Sequence, residues 1–406
     1  MPDVPDPREQ FRQVFGGGGE IRTVSVPGRV NLIGEHIDYH GLPVLPIAIR
    51  RYIRVVFRPR TDRRVRALSS GSYGLREFEW TPDLPPAAPG DWENYIRAAA
   101  QVVTGKWGNA RGLPFTGIDA FVTSDLPAAA GLSSSTALLV AFTLALLQAN
   151  RSTPTFEELM DVLPEGEHFV GTRGGGMDHA AVLASRSDCA SRIEFDPIKV
   201  TPVRIPDDWA FLVAHSLVTA EKSGAARLEY NARRKAGTAA LRRLGFPSYR
   251  AAIEGRSFAE LENLALQGIS AVEECDAFLH VTGEALRVRA AVSAMERADS
   301  GEFGILLSES HYSLRDRLKV SCPALDELVE AASAALAGGA RLTGAGFGGF
   351  VVIFCTPQSR EIVRRQLIET YYSKRPEFRE EIHLLDADPG PGVLYASPTP
   401  TPPTPD

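Results

Sequence analysis

Residues 27–41 read Pro-Gly-Arg-Val-Asn-Leu-Ile-Gly-Glu-His-Ile-Asp-Tyr-His-Gly and crowd Glu35, His36 and Asp38 beside a strand-like stretch. Sugar hydroxyls need acceptors, and a carboxylate can take two of them through charge-assisted hydrogen bonds. His36, Asp38 and His40 would also share one face of an extended chain, as metal ligands do, but no further ligand cluster accompanies them. A polar strand end is the plain alternative.

Residues 126–137, Leu-Pro-Ala-Ala-Ala-Gly-Leu-Ser-Ser-Ser-Thr-Ala, stand directly before an apolar helical stretch. A helix N-terminus carries unpaired N–H groups and the positive end of its dipole, which together hold phosphate. Ala128 to Gly131 are small enough for close approach, and Ser133, Ser134 and Ser135 add hydroxyls for phosphate or Mg²⁺. The lysine of a G-x-x-x-x-G-K-[ST] loop is missing, which excludes a Walker A site. Read alone, the stretch is equally a serine-rich helix cap.

Residues 171–179, Gly-Thr-Arg-Gly-Gly-Gly-Met-Asp-His, place Asp178 after three glycines. An aspartate fixed on such a loop could take a proton from a substrate hydroxyl; a glycine turn with a solvated Asp is the simpler reading. Residues 341–349 satisfy G-x-G-x-x-G through Gly344, Gly346 and Gly349. A dinucleotide fingerprint follows a strand and opens a helix, whereas here a helix is expected before and a strand after. A glycine turn that closes over a ligand or packs on another backbone fits better.

The elements that would carry these groups follow from periodicity. Strands are expected over 21–26, 44–49, 52–57, 118–123 and 350–354, and a buried helix over 136–148 because apolar residues cover all its faces. Thr155 with Glu158 and Ser257 with Glu260 have capping-box spacing. A basic amphipathic helix spans 230–244, and its Arg233, Arg234, Lys235, Arg242 and Arg243 read as a solvated face. Pro323 suits a first helical position, with Gly338-Gly339 as the stop.

With 406 residues the chain is long enough for two domains, and we expect the boundary between 202 and 209. The division is 1–205, 206–395 and a disordered Pro/Thr-rich tail over 396–406. A net charge of −6 disfavours nucleic acid or anionic membrane as partner. We expect no signal peptide, and the apolar run 137–147 is too short to span a bilayer. Cys189, Cys275, Cys322 and Cys355 are scattered, as suits reduced cytosolic thiols and no zinc site. His168, His215, His280, His311 and His383 lack metal spacing and read as structural, and Trp92 and Tyr95 read as core.

Taken in order, the four segments resemble the GHMP kinase superfamily, and specifically the galactokinase family, over about 26–354. Weaker support comes from Trp-Glu-Asn-Tyr at 92–95, Tyr-Asn-Ala-Arg-Arg at 230–234 and Ser-His-Tyr-Ser-Leu-Arg at 310–315. The resemblance implies an α+β, two-domain GHMP kinase fold, with an S5-like N-terminal domain and a ferredoxin-like C-terminal domain, the active site lying between them. It implies ATP-dependent phosphorylation of the anomeric C1 hydroxyl of galactose in the cytoplasm, by a monomer or weak homo-oligomer. Asp178 would be the catalytic base and Arg29 its partner. Glu35, His36, Asp38, Gly175 and Tyr230 would contact the sugar. Ala129, Ala130, Gly131, Leu132, Ser133, Ser134 and Ser135 would form the ATP phosphate loop, with Trp92 by the adenine. Ser135 and Glu167 (Glu165 being the lesser choice) would hold Mg²⁺.

Ile37 in place of the usual Thr, Ala129 in place of Gly, and the run Gly174-Gly175-Gly176 depart from the galactokinase pattern toward the N-acetylgalactosamine kinases. That sugar, or another, is therefore the alternative substrate. His179 replaces the usual Gln. A non-catalytic sugar sensor is disfavoured by the full-length phosphate loop and by Asp178. A kinase for a non-sugar alcohol is disfavoured by the Glu-His-Ile-Asp run at 35–38.

Overall fold

The computed structural model describes residues 6–71, 73–111, 115–127, 131–169, 175–219, 225–335 and 337–396. Ala129 and Ala130 of the phosphate loop, Gly174, and the tail from 397 lie outside them.

Two main sheets and one hairpin organise the chain. The first sheet holds β1 (Arg22–Asn31), β2 (Pro46–Pro59), β3 (Arg64–Ser69), β4 (Arg76–Glu79) and β5 (Ile118–Ser124), in the order β1-β2-β5-β3-β4. Its pairs are antiparallel except β3 with β5. β2 merges two expected strands into one, because Arg50 and Arg51 continue the extended backbone between them. β6 (Cys189–Glu194) and β7 (Lys199–Arg204) form the hairpin. The second main sheet holds β8 (Ala210–His215), β9 (Gly339–Leu342), β10 (Phe350–Cys355) and β11 (Leu384–Asp386) in the order β11-β8-β10-β9, all antiparallel. Renumbered within this half the order is 4-1-3-2, the arrangement of a ferredoxin-like α+β domain, as expected.

Helices α1 (Pro7–Phe15), α2 (Glu93–Arg111), α3 (Ser134–Ala149), α4 (Phe156–Phe169) and α5 (Met177–Ala184) accompany the first sheet. The later chain adds α6 (Ala225–Arg243), α7 (Tyr249–Ile253), α8 (Phe258–Gly268), α9 (Val272–Glu296), α10 (Ser300–Asp316), α11 (Pro323–Ala334), α12 (Pro357–Thr370) and α13 (Glu380–His383). α3 is buried along almost its whole length because Leu139, Phe142, Leu146 and their neighbours leave no polar face. Each such side chain contributes about 1.5–3 kcal/mol of burial. Both predicted capping boxes form: Glu158 N–H donates to Thr155 Oγ1 at 3.2 Å, and Ser257 with Glu260 closes reciprocally at α8.

One expected feature is corrected. Gly338-Gly339 does not stop α11, which ends at Ala334, and Gly339 opens strand β9. The glycine-rich segment 343–349 is therefore the turn of a β9–β10 hairpin, preceded by a strand and not by a helix. Dinucleotide binding stays excluded, since no helix opens after it. The glycines serve close packing: a Cβ on Gly346 would lie 2.2 Å from the Val320 carbonyl oxygen. The largest apolar core runs from Val24 through α3, α9 and Phe350 to Ala387 and so crosses residue 205, while a second cluster packs on the other face of the second sheet.

Candidate active site

β1 carries the first catalytic candidate. Its register with β2 shifts between Pro27 and Gly28, a bulge that re-aims the following side chain. Arg29 there is 6% exposed. Its main-chain N–H donates to the Leu132 carbonyl at 3.2 Å and its Nη1 to the Gly131 carbonyl at 2.6 Å, which docks the phosphate loop on the strand. A side chain at position 28 would strike Leu126 and the Leu132 carbonyl, so the docking needs Gly28.

Arg29 also reaches Asp178, with Nε 2.8 Å and Nη2 2.7 Å from Oδ1. Asp178 is not on a loop, as the sequence suggested, but in the first turn of α5; Gly176, at φ 98°, is the N-cap. Ser133, in the left-handed conformation at the N-cap of α3, donates its hydroxyl to Asp178 Oδ2 at 2.5 Å. Burial pushes the Asp178 pKa up, but the Arg29 charge and the Ser133 hydrogen bond outweigh it, so the group stays below its ordinary value and ionised. Its side chain keeps 27% of its surface exposed, enough to meet a substrate.

The sugar-segment residues converge on the same place. Asp38 Oδ2 accepts the Gly175 N–H at 3.1 Å, and a Cβ on Gly175 would lie 2.4 Å from that oxygen. Burial, and after it the Asp178 charge, raises the Asp38 pKa to about 6. Glu35 is 3% exposed, and its Oε1 accepts the Gly344 N–H at 2.6 Å and the Thr343 hydroxyl at 3.2 Å. Among the described residues Oε2 has no such partner. Fully buried Arg341 lies 3.6 Å from Oε1 and donates to the carbonyls of Asn31 and Leu32, both at 3.0 Å.

His36 uses both ring nitrogens within the protein. Nε2 lies 3.2 Å from the Ala345 carbonyl, so it is the N–H, and Nδ1 accepts from the Tyr39 hydroxyl at 3.0 Å. Burial lowers its pKa and keeps it neutral. Its ring packs on Tyr230, with centroids 5.1 Å apart, and Tyr230 also meets Tyr39 at 5.5 Å. Tyr230 is held as the neutral phenol by burial. The basic helix α6 is more engaged than a solvated face: Arg233 donates to the Leu318 carbonyl, Arg234 stands 5.7 Å over the Tyr39 ring, and Arg243 pairs with Glu274.

Around the phosphate loop, Ser135 neighbours the Tyr95 hydroxyl of α2, whose pKa burial pushes up. Glu167 Oε1 accepts the Thr136 hydroxyl at 2.6 Å, beside Ser135, and His179 Nε2 lies 3.6 Å from the same oxygen. The substitution at 179 is thereby tied to Glu167. Glu165 is exposed. Trp92 is 8% exposed, and its indole N–H has no hydrogen-bond partner among the described residues. Hard oxygen donors at Glu167 and Ser135 suit Mg²⁺. His36 spends both ring nitrogens on Tyr39 and the Ala345 carbonyl, which speaks against the His36/Asp38/His40 metal reading. Thr136, Thr343 and Arg341 were not singled out from sequence, and Ser133 was read as a phosphate-loop hydroxyl and not as a partner of Asp178; each contacts a group far along the chain.

Family models match three segments: a galactokinase galactose-binding signature over residues 9–59, the GHMP kinase N-terminal domain over 94–186 and the GHMP kinase C-terminal domain over 291–373. The galactokinase of Roseiflexus sp. (strain RS-1) is 37% identical over 378 residues, covering 92% of this chain and 93% of its own. The chain belongs to the galactokinase family of the GHMP kinase superfamily. The human galactokinase is 35% identical over 91% of this chain and 92% of its own. The Lactococcus lactis galactokinase complexed with galactose superposes with a TM-score of 0.83 at 26% identity, covering 95% of this chain and 97% of that one. The L. major mevalonate kinase, at 20% identity and a TM-score of 0.61 over 91% and 96% of the two chains, shares the fold. As a family member the chain is an ATP-dependent sugar kinase. No described helix is long and apolar enough to cross a membrane, and all four cysteines are free.

Proposed function

We propose that the chain transfers the γ-phosphoryl group of ATP to the C1 hydroxyl of galactose. The observation that carries this reading is the Arg29–Asp178–Ser133 constellation, which joins the sugar segment to the N-terminus of the phosphate-loop helix. Asp178 takes the proton as the C1 oxygen bonds to phosphorus and the bridging bond to ADP breaks. Such transfers are loose, so positioning and charge neutralisation do most of the work and a weakly basic carboxylate suffices. Glu35 Oε2 and Asp38 accept sugar hydroxyls, the Tyr230 phenol donates, and Gly175 lets Asp38 approach beside the sugar.

The first-turn amides of α3, with the Ser134 hydroxyl, receive the phosphates, while the Ser133 hydroxyl is turned to Asp178. Ser135 and Glu167 would hold Mg²⁺, which when bound neutralises phosphate charge. Trp92 borders the adenine. The division into catalytic halves at 205/206 belongs to the same reading, as do a cytoplasmic location and a monomeric or weakly associating state. N-acetylgalactosamine is the comparator sugar; Ile37, one basis for it, is fully buried in the core and exchanges packing, not pocket lining.

The test is ADP release with galactose, N-acetylgalactosamine, glucose, arabinose and galacturonate. Galactose is expected to be preferred, and strong preference for another sugar overturns the assignment. Asp178→Ala should lower kcat by about 10²–10⁴-fold with ATP binding retained. Near-normal turnover in this variant removes Asp178 from the role.

A further inference from the structure

The turn that presents Glu35 is held from behind by a helix that no motif marks. Gly34 and His36 flank Glu35 with positive φ, 105° and 61°; the glycine adopts this freely, but His36 does so at a cost that the surroundings must offset. The support comes from α9 and α10. Glu284 of α9 is completely buried, and its Oε1 accepts the Gly34 N–H at 2.9 Å and the Ser310 hydroxyl at 2.7 Å. Its Oε2 accepts Arg287 Nε at 2.8 Å. One turn earlier, buried His280 lies with Nε2 3.0 Å from the Glu35 carbonyl and Nδ1 2.9 Å from the Ser313 hydroxyl. Burial lowers the His280 pKa to about 3, so the ring is neutral, Nε2–H donates to the carbonyl and Nδ1 accepts from Ser313. Val288 completes the support: its Cγ2 would lie 3.0 Å from a Cβ on Gly34.

We infer that Glu284, assisted by His280, is a positioning residue for sugar binding, fixing the Gly34–His36 turn so that Glu35 faces the substrate. The carboxylate of Glu35 is pinned by the β9–β10 hairpin, but its main chain is pinned by α9. A fully buried carboxylate is costly even beside Arg287, and its Oε1 is spent on a main-chain N–H some 250 residues away. Apolar packing would hold the helices together without it; what matches the Gly34 N–H of the turn is an acceptor oxygen at this position. The inference rests on the reading that Glu35 contacts the sugar.

Steady-state kinetics on the full chain separate positioning from bulk stability. In Glu284→Ala the KM for galactose should rise about tenfold or more, the loss expected for one charge-assisted hydrogen bond. The KM for ATP should stay within about twofold. Glu284→Gln keeps an oxygen for Gly34 but turns an NH₂ donor toward Arg287 in place of the accepting oxygen, so it should restore the sugar KM to within about threefold of the parent while melting earlier. A folded Glu284→Ala with unchanged sugar KM overturns the inference, as does a Gln variant as poor in sugar KM as Ala. If Glu284→Ala does not fold, His280→Leu carries the test, with a raised sugar KM expected and an unchanged one overturning it. Glu35→Ala is the control: an unchanged sugar KM there defeats the site reading itself, whereas a raised one beside a normal Glu284→Ala defeats only the positioning role.

Discussion

Two carboxylates within the site are set apart by their surroundings. Asp178 is paired with Arg29 and bonded by Ser133, which hold its pKa below the ordinary carboxylate value. Asp38 is partly buried next to it and is pushed up to about 6. If an ionised Asp38 accepts a sugar hydroxyl, kcat/KM for galactose must fall as pH drops through about 6, because protonation replaces an acceptor by a donor. The measurement is kcat/KM against pH; an acid limb found only below about 5 would assign it to an unperturbed carboxylate. The crowding of Glu35, His36 and Asp38 was visible in the sequence, because polar groups rarely cluster at a strand end without purpose. The Ser133 hydroxyl on Asp178 was not, since nothing in a serine run says which of three hydroxyls turns away from the phosphates.

At the scale of elements, local rules worked where local forces act. The capping boxes at Thr155 and Ser257 formed because donor and acceptor sit within one helical turn. Gly338-Gly339 misled for the converse reason: glycine after a helix resembles a C-cap, but here its role is tertiary. α10 crosses β9 so closely that a Cβ on Gly304 would lie 1.8 Å from the Gly338 carbonyl oxygen. Gly304→Ala gains about 1 kcal/mol of helix propensity and loses more to overpacking. We expect a net loss of about 2 kcal/mol, read as a lower urea midpoint with unchanged slope. An unshifted midpoint would mean that the crossing relaxes without cost.

Across the whole molecule, the order of segments indicated two halves, and the two sheets respect that order. What no local pattern could convey is the traffic between them: Gly34 to Glu284, Glu35 to Gly344, Arg341 to Asn31. These bonds, with a core that runs through residue 205, make the halves one cooperative unit. Calorimetry should therefore record a single transition whose calorimetric and van't Hoff enthalpies agree. Two resolved transitions would show that the interface is weaker than its burial implies.

The junction between the phosphate loop and the β9–β10 hairpin has a consequence of its own. Gly131 and Gly344 approach so that a Cβ on Gly344 would be 3.6 Å from the Gly131 carbonyl oxygen, with no side chain between. A point substitution at either glycine can add bulk to this seam but cannot take any away. Natural variants that broaden the range of accepted sugars must then arise from the side chains around the seam, and the seam itself becomes the fixed datum from which both ligands are measured.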